Sequence, residues 1–78
     1  RRMTAAEIAR RLSPAQKRAL LWLPEDGCGR PLGNKPPPMQ AREFLRAMEL
    51  MEAPTPSIRR LSPLGLAVRA EIERMEKQ

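Results

Sequence analysis

The 78-residue chain carries fifteen Lys and Arg against nine Asp and Glu, a formal charge of +6, with one cysteine and no histidine. That length gives one domain with a small core, and the basic excess suits an anionic partner such as nucleic acid without bearing on fold. Lone Cys28 excludes an internal disulfide and a cysteine zinc cluster, and the usual proton shuttle is missing with histidine. No apolar run approaches the roughly 20 residues of a membrane span and no signal-peptide core is visible, so a reduced, cytoplasmic setting is expected.

Met3 is a natural start. Arg1-Arg2 ahead of it reads equally as a scar or as part of a longer parent chain. A first helix is predicted over 4–12: Thr4 and Glu7 form a capping box, and Ala5, Ile8, Ala9 and Leu12 share one face, with Arg10 and Arg11 turned away. A second follows over 13–23, where Ser13 caps, Pro14 takes the first position and Gln16 completes another capping box. Ala19, Leu20, Trp22 and Leu23 make its apolar side, Lys17 and Arg18 its exposed one, and Trp22 is read as a core anchor.

Periodicity vanishes over 24–37, a loop holding Gly27, Gly29, Gly33 and Pro24, Pro31, Pro36 and Pro37. Arg30-Pro31-Leu32 suits a short edge strand, since a proline has no place in a central one. Pro36-Pro37-Pro38 is read as a rigid, extended lead-in, with Pro38 opening a third helix over 38–51. In that helix Ala41, Phe44, Leu45 and Met48 form the inward stripe. Met39, Arg42, Glu43 and Arg46 cluster opposite, where two arginines one turn apart suit a groove-reading face. The plain alternative is a solvated face in which Arg46 pairs with Glu49.

A hairpin is predicted over 50–61, with arms at Leu50 to Ala53 and Ile58 to Leu61 and a tip at Pro54 to Ser57. The last helix, 62–77, opens with the cap-then-proline device of Ser62-Pro63. Its stripe is Leu64, Ala67, Val68, Ile72 and Met75, with Glu73 and Lys77 paired at i, i+4. Its outer residues Arg69, Glu73, Arg74, Glu76 and Lys77 suit solvent or a polar partner, and as a terminal helix it is the candidate contact for a homodimer.

Catalysis needs converging groups with matched protonation states. Cys28 lies between Gly27 and Gly29 with no histidine base, so it is read as an incidental loop cysteine rather than a reactive thiol. Asp26 is the only aspartate, and no glycine motif cradles a phosphate. No enzyme activity, metal or cofactor is expected.

The order helix, helix, short strand, helix, hairpin, helix resembles the winged helix-turn-helix family, of the MarR type and related small bacterial or phage regulators. Three stretches carry the likeness: residues 12–23 for the opening helix, Arg42 to Glu52 for the recognition helix running into the first wing strand, and Arg60 to Arg69 for the exit from the second. The pattern departs from the family in three places. Residues 33–38 stand where a full support helix belongs, Met51 stands at the turn glycine, and the tip at Pro54 to Ser57 has no positive charge. The resemblance implies a mainly α fold with a small β-hairpin and about four helices, in one winged helix-like domain over 1–78.

It also implies a DNA-binding module, a small transcriptional regulator or phage-related accessory protein, acting on double-stranded DNA. The third helix would enter the major groove with Gln40, Arg42, Glu43 and Arg46 near the bases, Arg59 and Arg60 of the hairpin on the backbone or minor groove, and Lys35 on a phosphate. That needs Lys35, Arg42, Arg46, Arg59 and Arg60 on one face. In a competing register, Thr4 to Leu12 opens a plain helix-turn-helix and Pro14 to Leu23 reads DNA, but Leu20, Trp22 and Leu23 leave that helix little polar surface. The rival function is a protein-docking module on a similar fold with no DNA reading.

Overall fold

A computed structural model describes residues 3–33 and 35–77. Arg1-Arg2, and the part of Asn34 in the lead-in, lie outside the described residues. Four helices and a small antiparallel sheet follow in the order α1 (Ala5–Arg11), α2 (Pro14–Trp22), β1 (Arg30–Pro31), α3 (Met39–Ala47), β2 (Met51–Thr55), β3 (Ile58–Leu61) and α4 (Pro63–Glu76). The fold is mainly α with a small β-hairpin, as expected from the order of elements read in the sequence.

Capping chemistry sets three of the four helix starts. Thr4 Oγ1 accepts from the Glu7 amide at 3.2 Å while Glu7 Oε1 accepts from the Thr4 amide at 3.1 Å. Ser13 and Gln16 repeat the exchange at 3.2 and 2.9 Å, with Pro14 in the first position where no amide is required. Ser62 caps α4 by accepting from the Gly65 amide at 3.0 Å.

The sheet order is β1-β3-β2, with both pairings antiparallel. β1 reaches only Arg30 and Pro31 opposite Arg59 and Ile58, an edge place that tolerates a proline. The Leu32 amide extends the contact by donating to Ser57 O at 2.9 Å. Glu52 faces Arg60 and Thr55 faces Ile58, so β2 takes three steps where β3 takes two. The extra residue on β2 falls beside Pro54, which has no amide for a ladder. β2 thus runs on to Thr55, and the tip narrows to Pro56 and Ser57 rather than beginning at Pro54.

The core joins Ile8, Ala9 and Leu12 of the first helical segment to Leu20, Leu23, Leu45, Leu50, Leu61, Val68 and Ile72. α1 packs on α4 and α2 on α3, which sets the two helix pairs against the sheet. Phe44, Met48 and Trp22 are half-buried against this cluster. The α4 stripe differs from its prediction, because Gly65, Val68 and Ile72 face inward while Leu64 and Ala67 are exposed. Gly65 decides the rotation. A Cβ there would lie 2.0 Å from Leu50 O, so only a glycine lets the first turn of α4 press against that backbone.

α3 ends at Ala47 rather than reaching 51. Its last carbonyls are closed by the Glu49 amide to Arg46 O at 2.9 Å and the Leu50 amide to Leu45 O at 2.8 Å, the two bonds of a Schellman stop. The residue in the left-handed conformation is Glu49, at φ 61°. The turn position therefore belongs to Glu49, and Met51 is a buried residue that begins β2.

Candidate nucleic-acid interface

The outward face of α3 presents Met39, Gln40, Glu43, Arg46 and Ala47, all exposed. Arg42 is not among them. It is half-buried, and its Nε donates to Pro37 O at 3.0 Å, tying the extended lead-in to the helix it precedes. Of the two arginines one turn apart, Arg46 alone keeps a guanidinium with no hydrogen-bond or ion-pair partner among the described residues. It does not pair with Glu49, which the helix stop carries off the helical spiral. Pro38 offers no side-chain acceptor to the first turn, so α3 alone of the four described helices begins without a side-chain cap.

The hairpin arginines are also engaged. Arg59 Nη1 donates to Thr55 O, Pro56 O and Ile58 O at 3.2, 3.1 and 3.0 Å, wrapping the guanidinium around the carbonyls of the tip. Arg60 Nε lies 2.8 Å from Glu52 Oε1 across the strand pair, with both side chains 44% exposed. A pair so open to water contributes about 0–1 kcal/mol, so a competing anion can displace Glu52 at little expense. Lys35 is exposed in the lead-in at φ 55° and unpaired among the described residues.

The residues predicted to meet DNA therefore differ in their availability. Lys35, Gln40, Glu43 and Arg46 are presented to solvent, Arg60 is shared with Glu52, and Arg42 and Arg59 hold the backbone on either side. Those two roles escape a sequence reading because their acceptors are backbone carbonyls of the lead-in and the hairpin end that come within reach only after the chain turns.

Arg69 differs from its expected place on the outer face of α4. Its Nη1 donates to Leu21 O and Leu23 O at 2.9 and 2.8 Å, satisfying carbonyls at the end of α2 that the helix leaves open. Its Nε sits 3.5 Å from Glu73 Oε1, without a hydrogen bond, so Glu73 pairs backward with Arg69. Arg74 pairs with Glu71, whose carboxylate holds the guanidinium above its ordinary value. Arg30 lies 4.1 Å over the Trp22 ring and donates to Trp22 O at 2.9 Å. Trp22 is thus a half-buried anchor between the core and a cation.

Cys28 is exposed, and its amide donates to Asp26 Oδ1 at 2.9 Å in a local turn. Among the described residues no group of three or more His, Cys, Asp or Glu side chains is placed to hold a metal, and no helix is long and apolar enough to cross a membrane. No protein-family profile, curated protein or solved structure matches the chain.

Proposed function

We propose that this protein is a non-enzymatic module that binds double-stranded DNA on a winged helix-like scaffold, as a small regulator or phage-type accessory protein of the cytoplasm. One observation carries the reading: α3 runs through the Glu49 turn straight into a hairpin whose second strand is the centre of the β1-β3-β2 sheet. An exposed helix and a two-stranded projection are thereby fixed side by side, as a groove reader with a flanking backbone contact requires.

On this reading Arg46 reaches a guanine edge or a phosphate, Gln40 an adenine, and Glu43 accepts from a cytosine amino group. Lys35 and Arg60 neutralise phosphates, Arg60 by exchanging Glu52 for the DNA backbone. Arg42 and Arg59 keep the lead-in and the hairpin tip in shape. The chain then acts without a proton shuttle or a metal.

Fluorescence anisotropy on a random-sequence duplex tests it. Two to three phosphate contacts, from Lys35, Arg60 and Arg46 where it takes a phosphate, give a log–log salt slope of about −2 to −3, so affinity falls roughly 10- to 40-fold between about 50 and 200 mM salt. Absence of binding at about 50 mM salt refutes the proposal.

A second reading, a protein-docking module, is favoured by one feature. Met3, Met48, Met51 and Leu64 line an open groove of about 860 Å³ beside Arg46, and methionine side chains adapt to varied apolar partners. On that reading the duplex stays unbound at every salt concentration.

A further inference from the structure

Between α2 and the lead-in lies a smaller pocket of about 210 Å³, of which the groove-reading face uses only Lys35. Ala19 and Trp22 of α2 and Pro37 and Pro38 of the lead-in line it, together with one cation from each segment, Arg18 of α2 and Lys35 of the lead-in. No carboxylate lines it. Arg18 and Lys35 are exposed, and neither has a hydrogen-bond or ion-pair partner among the described residues, unlike Arg30, Arg42, Arg59 and Arg60.

The walls are held from both sides. Arg30 covers the Trp22 ring at 4.1 Å, and Arg42 anchors Pro37 O at 3.0 Å. Lys35 keeps a left-handed backbone at φ 55°, a conformation disfavoured for a side chain with a Cβ. An apolar floor with two unpaired cations at its edge matches one ligand chemistry on a duplex: a deoxyribose laid against the ring and prolines, with its phosphate between the two cations. Pro38 is the residue before α3, so the pocket opens beside the helix end that carries exposed Gln40.

We infer that this pocket is a clamp for one phosphodiester of the DNA backbone, with Arg18 and Lys35 as its cationic jaws and Trp22 as its floor. The inference rests on the DNA-binding reading, gives its Lys35 phosphate contact a second cation in Arg18 and an apolar floor in Trp22, and so adds α2 to the interface. It fixes the lead-in and α2 on the same phosphodiester, so that one end of α3 is set against the backbone while its exposed side chains meet the bases.

The chain's single tryptophan reports on the site directly. Duplex titration of the full chain is expected to shift Trp22 emission and shield it from acrylamide. The paired variant Arg18→Ala, Lys35→Gly removes both charges while glycine keeps the left-handed backbone. It is expected to lose that shielding, to bind about tenfold more weakly, and to have a salt slope shallower by about 1. Arg10→Ala with Arg11→Ala removes the same charge from α1 and is expected to leave Trp22 shielding intact.

Duplex binding with Trp22 unshielded, or an unchanged slope in the clamp variant, overturns the clamp and leaves the DNA reading standing. Equal losses in both paired variants overturn it too, by making the effect one of net charge. If the duplex does not bind at all, both fall. Trp22 shielding by poly-glutamate but not by duplex assigns the pocket to acidic proteins and overturns the clamp.

Discussion

Glu49 occupies the left-handed conformation at φ 61° that closes α3, a place where a Cβ crowds the backbone and glycine does not. Its side chain is exposed, so replacement removes no core contact. Glu49→Gly is expected to raise stability by about 1 kcal/mol, a rise of roughly 4–8 °C in Tm for a domain of this size, read by thermal circular dichroism. An unchanged or lower Tm would show that the turn carries no such strain. Gly65 is the opposite case. Its missing Cβ leaves room for Leu50 O, which a methyl group would meet at 2.0 Å, and the neighbour is backbone that cannot step aside. The same contact is held by the Ser62 amide to Leu50 O at 3.0 Å and by Ser62 Oγ to Glu49 O at 2.6 Å. Gly65→Ala is therefore expected to destabilise by more than about 3 kcal/mol, seen as a collapse of the urea midpoint despite alanine's better helix propensity. A near-native midpoint would mean that α4 can slide away from the α3–β2 turn.

At the scale of elements, the hairpin and α3 carry opposite arrangements of charge. α3 exposes one unpaired arginine, whereas the hairpin places Arg60 against Glu52 in register on a solvent-exposed face. A cross-strand pair of this kind contributes little to stability and competes with any phosphate for the same guanidinium. Glu52→Gln keeps the side chain's size and removes the competitor. It is expected to tighten duplex binding by about three- to tenfold and to steepen the salt slope by up to about 1, with Tm changed by only a few degrees. Weaker binding, or no change in slope, would place Arg60 away from the DNA. The inward stripes of α1, α2 and α3 were legible in the sequence because they depend on a 3.6-residue period alone. The start of α4 was not, since Leu64 and Ala67 fit the period as well as Gly65 does, and only the approach of Leu50 decides between them.

For the molecule as a whole, the small core leaves much of the shape to polar ties between segments distant in sequence. Arg69 reaches Leu21 O and Leu23 O from 48 and 46 residues away, and Ser62 bridges to Glu49. Residues 33–38 form no helix at their described positions, and an extended run held by Arg42 takes that place. Composition, helix caps, the proline stops and the mainly α class were determined by the sequence itself, because each depends on side chains within four residues of one another or on counting charges. Which arginines stay available to a partner was decided only by tertiary structure. A guanidinium has five donors and no acceptor, so its fate turns on which carbonyls or carboxylates the folded backbone brings within reach. Folding commits Arg42, Arg59 and Arg69 inward to loop and helix-end carbonyls, pairs Arg60 with Glu52, and leaves Arg18, Lys35 and Arg46 facing water.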